Sequence, residues 1–237
     1  MKIENFKHIQ AAHCENGVTT NLLRGIGIDK MTEPLAFGIG SGLFFVYLPF
    51  LKINKGPAIA FRTMPGLIFK RTCNSLNIPV VRKKFSSKES AEKYLQECIQ
   101  SGQPVGCQVG VYYLTYFPKE YRFHFNAHNI IVYGKEDDRY LVSDPVMENV
   151  TSLSGFELER VRFAKGALAP KGQIYYPKEQ KIVTDQQLKK AIETGIKRNV
   201  THMIRIPGNI AGVNGLPWQS VWRYWYGYRR DIVLIQE

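Results

Sequence analysis

A chain of 237 residues is long enough for one well-filled core, or for a main domain of about 150 to 200 residues carrying an appendage. With 44% hydrophobic and 22% charged residues, the composition excludes general disorder and fibrous repeats. The net charge of +12 favours acidic partners such as nucleic acid, anionic membrane or an acidic carrier protein, but the positive residues form no block long enough to name one.

The segment Met1–Cys14 has no apolar stretch of the secretory kind, and the cysteines at 14, 73, 98 and 107 lack metal-type spacing. A reducing cytoplasm is therefore expected, with no metal and no cofactor. A short helix is predicted to begin near Cys14 and end by Gly25 and Gly27. A second follows from Thr32-Glu33-Pro34, where Thr caps and Pro suits the first turn. The apolar run Pro34–Leu51 is broken by Gly38, Gly40, Gly42 and Pro49 and falls short of the roughly 20 apolar residues of a membrane span. Buried core is expected there, and close backbone approach is expected at its glycines.

Strands are expected at 58–62 and 80–82, separated by a helix over 65–75. Ser86-Ser87-Lys88-Glu89 reads as a capped start, and Ala91, Tyr94, Leu95, Cys98 and Ile99 repeat at helical spacing until Gly102. Apolar, β-branched runs at 105–113, 127–133 and 140–143 then predict a central antiparallel sheet. A helix over 154–165, a strand over 173–176 and a helix over 184–198 complete the pattern. Helices first and sheet later is an α+β order. A soft boundary near 178 separates a main domain, 1–178, from a helical and aromatic-rich appendage, 179–237.

Cys14 is the candidate nucleophile, because the thiolate is the reactive form and a helix N-terminus favours negative charge. His13 adjoins it and Gln10 is nearby. His128 opens a strand, and Asp144 closes the next one just before Pro145. A hairpin centred on Glu136 would set the two directly opposite, with Cβ atoms about 4.5 to 5.5 Å apart and Asp144 able to orient the ring. The turn 135–139 permits more than one centre. His124 is a rival base that would share the strand face, while His8 and His202 have no evident acidic partner. Cys73, Cys98 and Cys107 read as core or surface thiols.

The stretch Phe37–Gly42 has no Lys-Ser/Thr ending and no preceding strand, which argues against phosphate binding. The aromatics of Trp218–Tyr228, mixed with arginines, could stack on bases. A buried cluster, or a surface completed by further residues or by a second copy of the chain, is the preferred reading, and no nucleic-acid partner is expected.

His13-Cys14, Asn21-Leu22-Leu23, the run Phe37–Tyr47, Gly102–Val105, His124–His128 and Val142-Ser143-Asp144 together resemble the N-terminal domain of the butirosin-biosynthesis acyltransferase (BtrH-like) family. The resemblance covers roughly residues 8 to 165. It implies a papain-like cysteine peptidase fold for 1–178, related to the bacteriocin-processing peptidase domains of exporters, where Cys, His and Asp occur in this order. It also implies that Cys14 takes an acyl group from a carrier-protein thioester, that His128 shuttles protons, that Asp144 orients His128, and that a small amine receives the acyl group. The exporter domains carry an oxyanion-hole Gln upstream of the Cys. Here Gln10 lies close before Cys14, so the Cys14 backbone N–H is the preferred donor, with Gln10 and His13 as support. The family's longer C-terminal region is matched only in part by 191–216.

An acyltransferase of secondary-metabolite biosynthesis is thus the leading expectation, and a basic surface suits an acidic carrier protein. A cysteine peptidase or amidase with the same triad is the second reading, and a non-catalytic scaffold the third.

Overall fold

The computed structural model describes residues 1–53 and 56–204; the aromatic stretch Trp218–Tyr228 lies outside the described residues. Helix α1 (Cys14–Gly25) starts at His13, whose Nδ1 accepts the Glu15 N–H, and α2 (Glu33–Ile39) is capped by Thr32 with Pro34 in its first turn. Strands β1 (Leu43–Ile53) and β2 (Gly56–Arg62) pair with each other in a separate two-stranded sheet. Helix α3 (Leu67–Ser75), strand β3 (Val80–Lys83) and the amphipathic α4 (Lys88–Gln100), capped by Ser87, follow.

The second half comprises β4 (Val105–Val109), β5 (His128–Glu136), β6 (Arg139–Ser143), β7 (Thr151–Ser154), α5 (Gly155–Arg162), β8 (Ile174–Pro177) and α6 (Asp185–Ile204). Ser154 and Glu157 form a full capping box on α5. The order β3-β8-β4-β5-β6-β7 makes one six-stranded sheet in which every neighbour is antiparallel. Its strands carry apolar residues on both faces, so both faces need cover. On one side Ile131, Tyr133 and Tyr175 pack with Val18, Leu22, Ile39, Phe69 and Ala191 from α1, α2, α3 and α6. On the other, Ile130, Val132, Val142 and Ile174 pack with Leu95, Ile99, Leu158 and Val161 from α4 and α5. The fold is α+β, with the sheet between two helical layers.

The apolar run 34–51 departs in part from the expectation of buried core: Ala36 and Ile39 are buried, but Leu43 at the start of β1 is exposed, as are Ile59 and Phe61 on the paired strand β2. Two of the run's glycines mark close approach, a Cβ on Gly40 coming within 2.8 Å of Ile68 and one on Gly42 overlapping the Phe37 ring, whereas a Cβ on Gly38 would meet nothing within 4 Å. The run 105–113 ends as a strand at Val109 and turns into a short 3-10 helix over Val111–Tyr113. Among the described residues no helix is long and apolar enough to cross a membrane.

The β5–β6 hairpin corrects the expected register. Glu136 pairs with Arg139, so the turn is Asp137-Asp138, with Asp137 at φ 50°, a left-handed conformation that Asp tolerates. A bulge at Tyr133 shifts the pairing again, bringing Val132 opposite Val142 and Ile131 opposite Ser143. Beside the bulge the N-terminus docks: Lys135 N–H donates to Met1 O, Ile3 N–H to Tyr133 O, and Lys2 bridges Gly134. Continued by one residue, this register sets Asp144 beside Ile130 rather than His128. The two-residue offset keeps Asp144 on the His128 face, since strand side chains alternate with period two.

Candidate active site

Cys14 is the first residue of α1, and His128 is the first of β5, paired with Val109. Asp144 follows the last residue of β6. These three ends converge because the N-terminal segment is sewn to the β6–β7 connection. Ala11 N–H donates to Pro145 O at 2.7 Å, His8 Nδ1 lies 2.7 Å from Ser143 Oγ, and His8 Nε2 lies 3.1 Å from Met147 O. Gly17 lets α1 approach, since a Cβ there would come within 2.7 Å of Ala11 and overlap Pro145. Cys14 (7%), His128 (6%) and Asp144 (0%) are all nearly removed from solvent.

His128 Nε2 meets Asp144 Oδ2 at 2.7 Å, and the same oxygen accepts the Tyr116 O–H at 2.8 Å. The Val146 N–H donates to Asp144 Oδ1 at 3.2 Å, so the buried carboxylate is fully engaged. Phe117 packs edge-on against the His128 ring, centroids 5.6 Å apart. With Nε2 committed to Asp144, Nδ1 is the nitrogen left for the Cys14 thiol, and the two side chains are hydrogen-bonded.

The electrostatics follow from this packing. Burial by itself lowers the His128 pKa, but hydrogen bonds to Asp144 and Cys14, together with both negative charges, raise it to about 10. Burial would raise the Cys14 thiol. The hydrogen bond and charge of His128, with donors from the Asn129 backbone and side chain, outweigh it and lower the pKa. At the other thiols burial outweighs the lowering contacts present, such as Tyr176 and Lys83 at Cys98 and Arg162 at Cys107. Burial pushes Cys73 up to about 12 and Cys107 up to about 11, and also raises Cys98. Among four free cysteines, Cys14 is the one whose pKa is lowered, which favours its thiolate beside His128.

His13 sits at the helix cap rather than in the His128–Asp144 line. Burial, Arg62 and His128 lower its pKa to about 4, so it is neutral at physiological pH. Arg62 also pairs with the buried Glu15, whose other oxygen accepts the Ile68 N–H at 2.9 Å. Glu33 accepts the backbone N–H groups of Ala12 (2.9 Å) and His13 (2.8 Å). Gln10 is exposed and lines, with Ala11, Ala12, Glu33 and Val146, an open cleft of about 410 Å³ beside the Cys14 helix tip. The rival base His124 lies in a loop, stacked on Tyr112 with centroids 4.1 Å apart.

Tyr116, Asn129, Tyr175, Glu15 and Arg62 were not singled out by sequence reasoning. Asn129 had a local signal, a polar residue interrupting the apolar run before Ile130-Ile131-Val132, and Glu15 had one as a carboxylate in the first helical turn. Tyr116, Tyr175 and Arg62 arrive from distant segments and carry no local mark.

A family model described as butirosin biosynthesis protein H, N-terminal, matches residues 13–145, more than half of the 237 residues. The chain belongs to this family. A second model, a domain of unknown function, DUF4872, matches residues 156–221. No curated protein sequence matches. Among solved structures, the chain is similar to a C39-like peptidase from Bacillus anthracis, with TM-score 0.50, 17% identity, 76% of this chain and 98% of that chain covered. It is also similar to the peptidase domain of Streptococcus ComA, a bifunctional ABC transporter, with TM-score 0.46, 13% identity, and 74% and 99% covered. The fold is thus papain-like. Family and fold place the chain among proteins with the fold of papain-like cysteine enzymes.

Proposed function

We propose that the protein is a thiol-dependent acyltransferase that takes an acyl group from a carrier-protein thioester onto Cys14 and passes it to a small amine. The observation that carries this reading is the buried Cys14–His128–Asp144 line, in which one thiol of the four is lowered by its neighbours where burial raises the others. The Cys14 sulfur attacks the thioester carbonyl, forming a new C–S bond, and the tetrahedral adduct collapses by expelling the carrier's thiol, which leaves with the His128 proton. The acceptor amine then attacks the acyl-Cys14 carbonyl while His128 takes its proton, and Cys14 departs as thiolate. Asp144 keeps the ring oriented and supports its charge throughout. The Cys14 backbone N–H, at the tip of α1, and Gln10, beside the cleft, are the proposed oxyanion donors. His13, neutral and half-buried against Arg62, supports the helix tip.

A family named for butirosin biosynthesis supports a synthetic reaction, and the net charge of +12 suits an acidic carrier protein. The C39-like peptidase fold supports a second reading, hydrolysis of a peptide or amide by the same groups. Incubation with acyl-pantetheine and acyl-carrier thioesters, read by intact mass beside Cys14→Ala, separates them. An acyl adduct confined to the Cys14 protein, and discharged by added amine, is the expected result. Peptide or amide cleavage without any adduct from thioesters would replace the transferase by the hydrolase.

A further inference from the structure

We propose that Asn129 is a further catalytic residue, donating its side-chain amide to the Cys14 sulfur, and that Tyr175 is the positioning residue that aims it. The inference rests on the reading of Cys14 as nucleophile and adds a donor outside the triad. Asn129 Nδ2 lies 3.9 Å from Cys14 Sγ, within reach for hydrogen bonding to sulfur, and donates also to Ala127 O at 3.0 Å. The Tyr175 O–H donates to Asn129 Oδ1 at 2.8 Å.

The amide orientation is determined by its partners. Ala127 O can only accept, so the group facing it must be the NH₂, and turning the amide over would set two acceptors together. Asn129 and Tyr175 are each 4% exposed, and the Tyr175 ring is wedged against Phe69 with centroids 4.8 Å apart. A buried amide next to Ile130 and Ile131 is costly unless every group is paired. Here both ends are paired, and the remaining N–H direction is spent on sulfur. A hydrogen-bond donor is worth more in such a water-poor site than at the surface.

Neighbouring strand residues face opposite ways, so a thiol over the middle of either sheet face would meet His128 or Asn129 but not both. Cys14 meets both because it sits at the end of β5, where the strand begins. The chemistry needs this second contact. The His128 charge attracts the thiolate from one side, and the Asn129 amide holds it from the other. On attack, a sulfur electron pair forms the C–S bond and the negative charge moves to the carbonyl oxygen. The amide gives up no proton; its N–H is released from sulfur and is free to follow the charge. At Cys73 and Cys107, which neither His128 nor Asn129 reaches, burial is the largest cause and raises the thiol.

The test is the pH dependence of Cys14 alkylation by iodoacetamide, followed by intact mass on the full chain, with Cys14→Ala as blank and circular dichroism to confirm folding. Asn129→Leu keeps the shape and removes the donor; the alkylation midpoint should rise by about one pH unit, with the rate below it falling about tenfold. Tyr175→Phe deletes one oxygen, frees the amide to swing, and should move the midpoint the same way with a fall of about threefold. Should Asn129→Leu not fold, Tyr175→Phe alone decides. Folded variants with the wild-type profile would overturn the proposal while leaving the nucleophile intact. An ordinary thiol midpoint in the wild type, or acyl adducts persisting in Cys14→Ala, would instead remove the nucleophile itself.

Discussion

Replacing Asp144 by Asn preserves shape and removes charge at the most buried point of the site. The carboxylate accepts from His128 Nε2 (2.7 Å), Tyr116 O–H (2.8 Å) and Val146 N–H (3.2 Å). An Asn amide can satisfy only one side of this set, because its NH₂ must face a donor whichever way it is turned. If the carbonyl faces His128 and Tyr116, a charge-assisted bond becomes a neutral one, a loss of about 1 to 2 kcal/mol. That corresponds to about one pKa unit on His128, drawn down from its value of about 10. A less basic imidazole holds its proton less firmly beside the thiolate, so the Cys14 alkylation midpoint should rise in turn. Asp144→Asn should therefore fold, form thiolate about one pH unit later, and transfer acyl groups at least about tenfold more slowly. Iodoacetamide kinetics across pH and thioester discharge measure both. A folded variant with unchanged midpoint and rate would refute the claim that Asp144 sustains the ion pair.

Thermal midpoints across pH should show a plateau. His128, raised above 6.5 to about 10, adds stability that is full below pH 6.5 and lost as pH rises through about 10. Cys14, lowered from 9.0, adds stability that is present above pH 9.0 and lost as pH falls through its folded value. Where pH lies above both 6.5 and the folded Cys14 value and below 9.0 the two slopes oppose each other, and a steep pH dependence just below 9.0 would contradict the pairing. Gly17→Ala should push α1 off Pro145 and Ala11, costing about 1 to 3 kcal/mol in denaturant titration and slowing acyl transfer more than Tm loss explains. Arg62→Ala strands the buried Glu15 carboxylate and should cost about 3 kcal/mol, read by the same titration. In native protein near neutral pH, iodoacetamide should modify Cys14 alone, since Cys73, Cys98 and Cys107 are buried and raised; a second adduct would contradict the packing.

Much of the architecture follows from local pattern. Thr32 and Ser87 cap helices because their oxygens satisfy first-turn N–H groups, and α4 shows its core stripe at Ala91, Leu95, Cys98 and Ile99. These signals lie within a few residues of what they specify. The strand β7 was missed because Thr-Ser-Leu-Ser is too short to show a period, and the exposure of Leu43 was not legible because an apolar run does not show which of its residues face the core. For the site, Cys14, His128 and Asp144 were legible as residue types in a family order, and their shared face survived the register error because the error was even. Their contact was not legible. It depends on a bulge at Tyr133 stabilised by the docked N-terminus, and on Ala11, His8 and Pro145 drawing a helix tip to a strand end. Tyr116 and Tyr175 reach the anion and the amide from segments far along the chain, and only burial together leaves each phenol a single partner. Sequence determined which groups the site could contain; packing decided which thiol is lowered, since burial raises the other three and only the convergent His128 and Asn129 reverse it at Cys14.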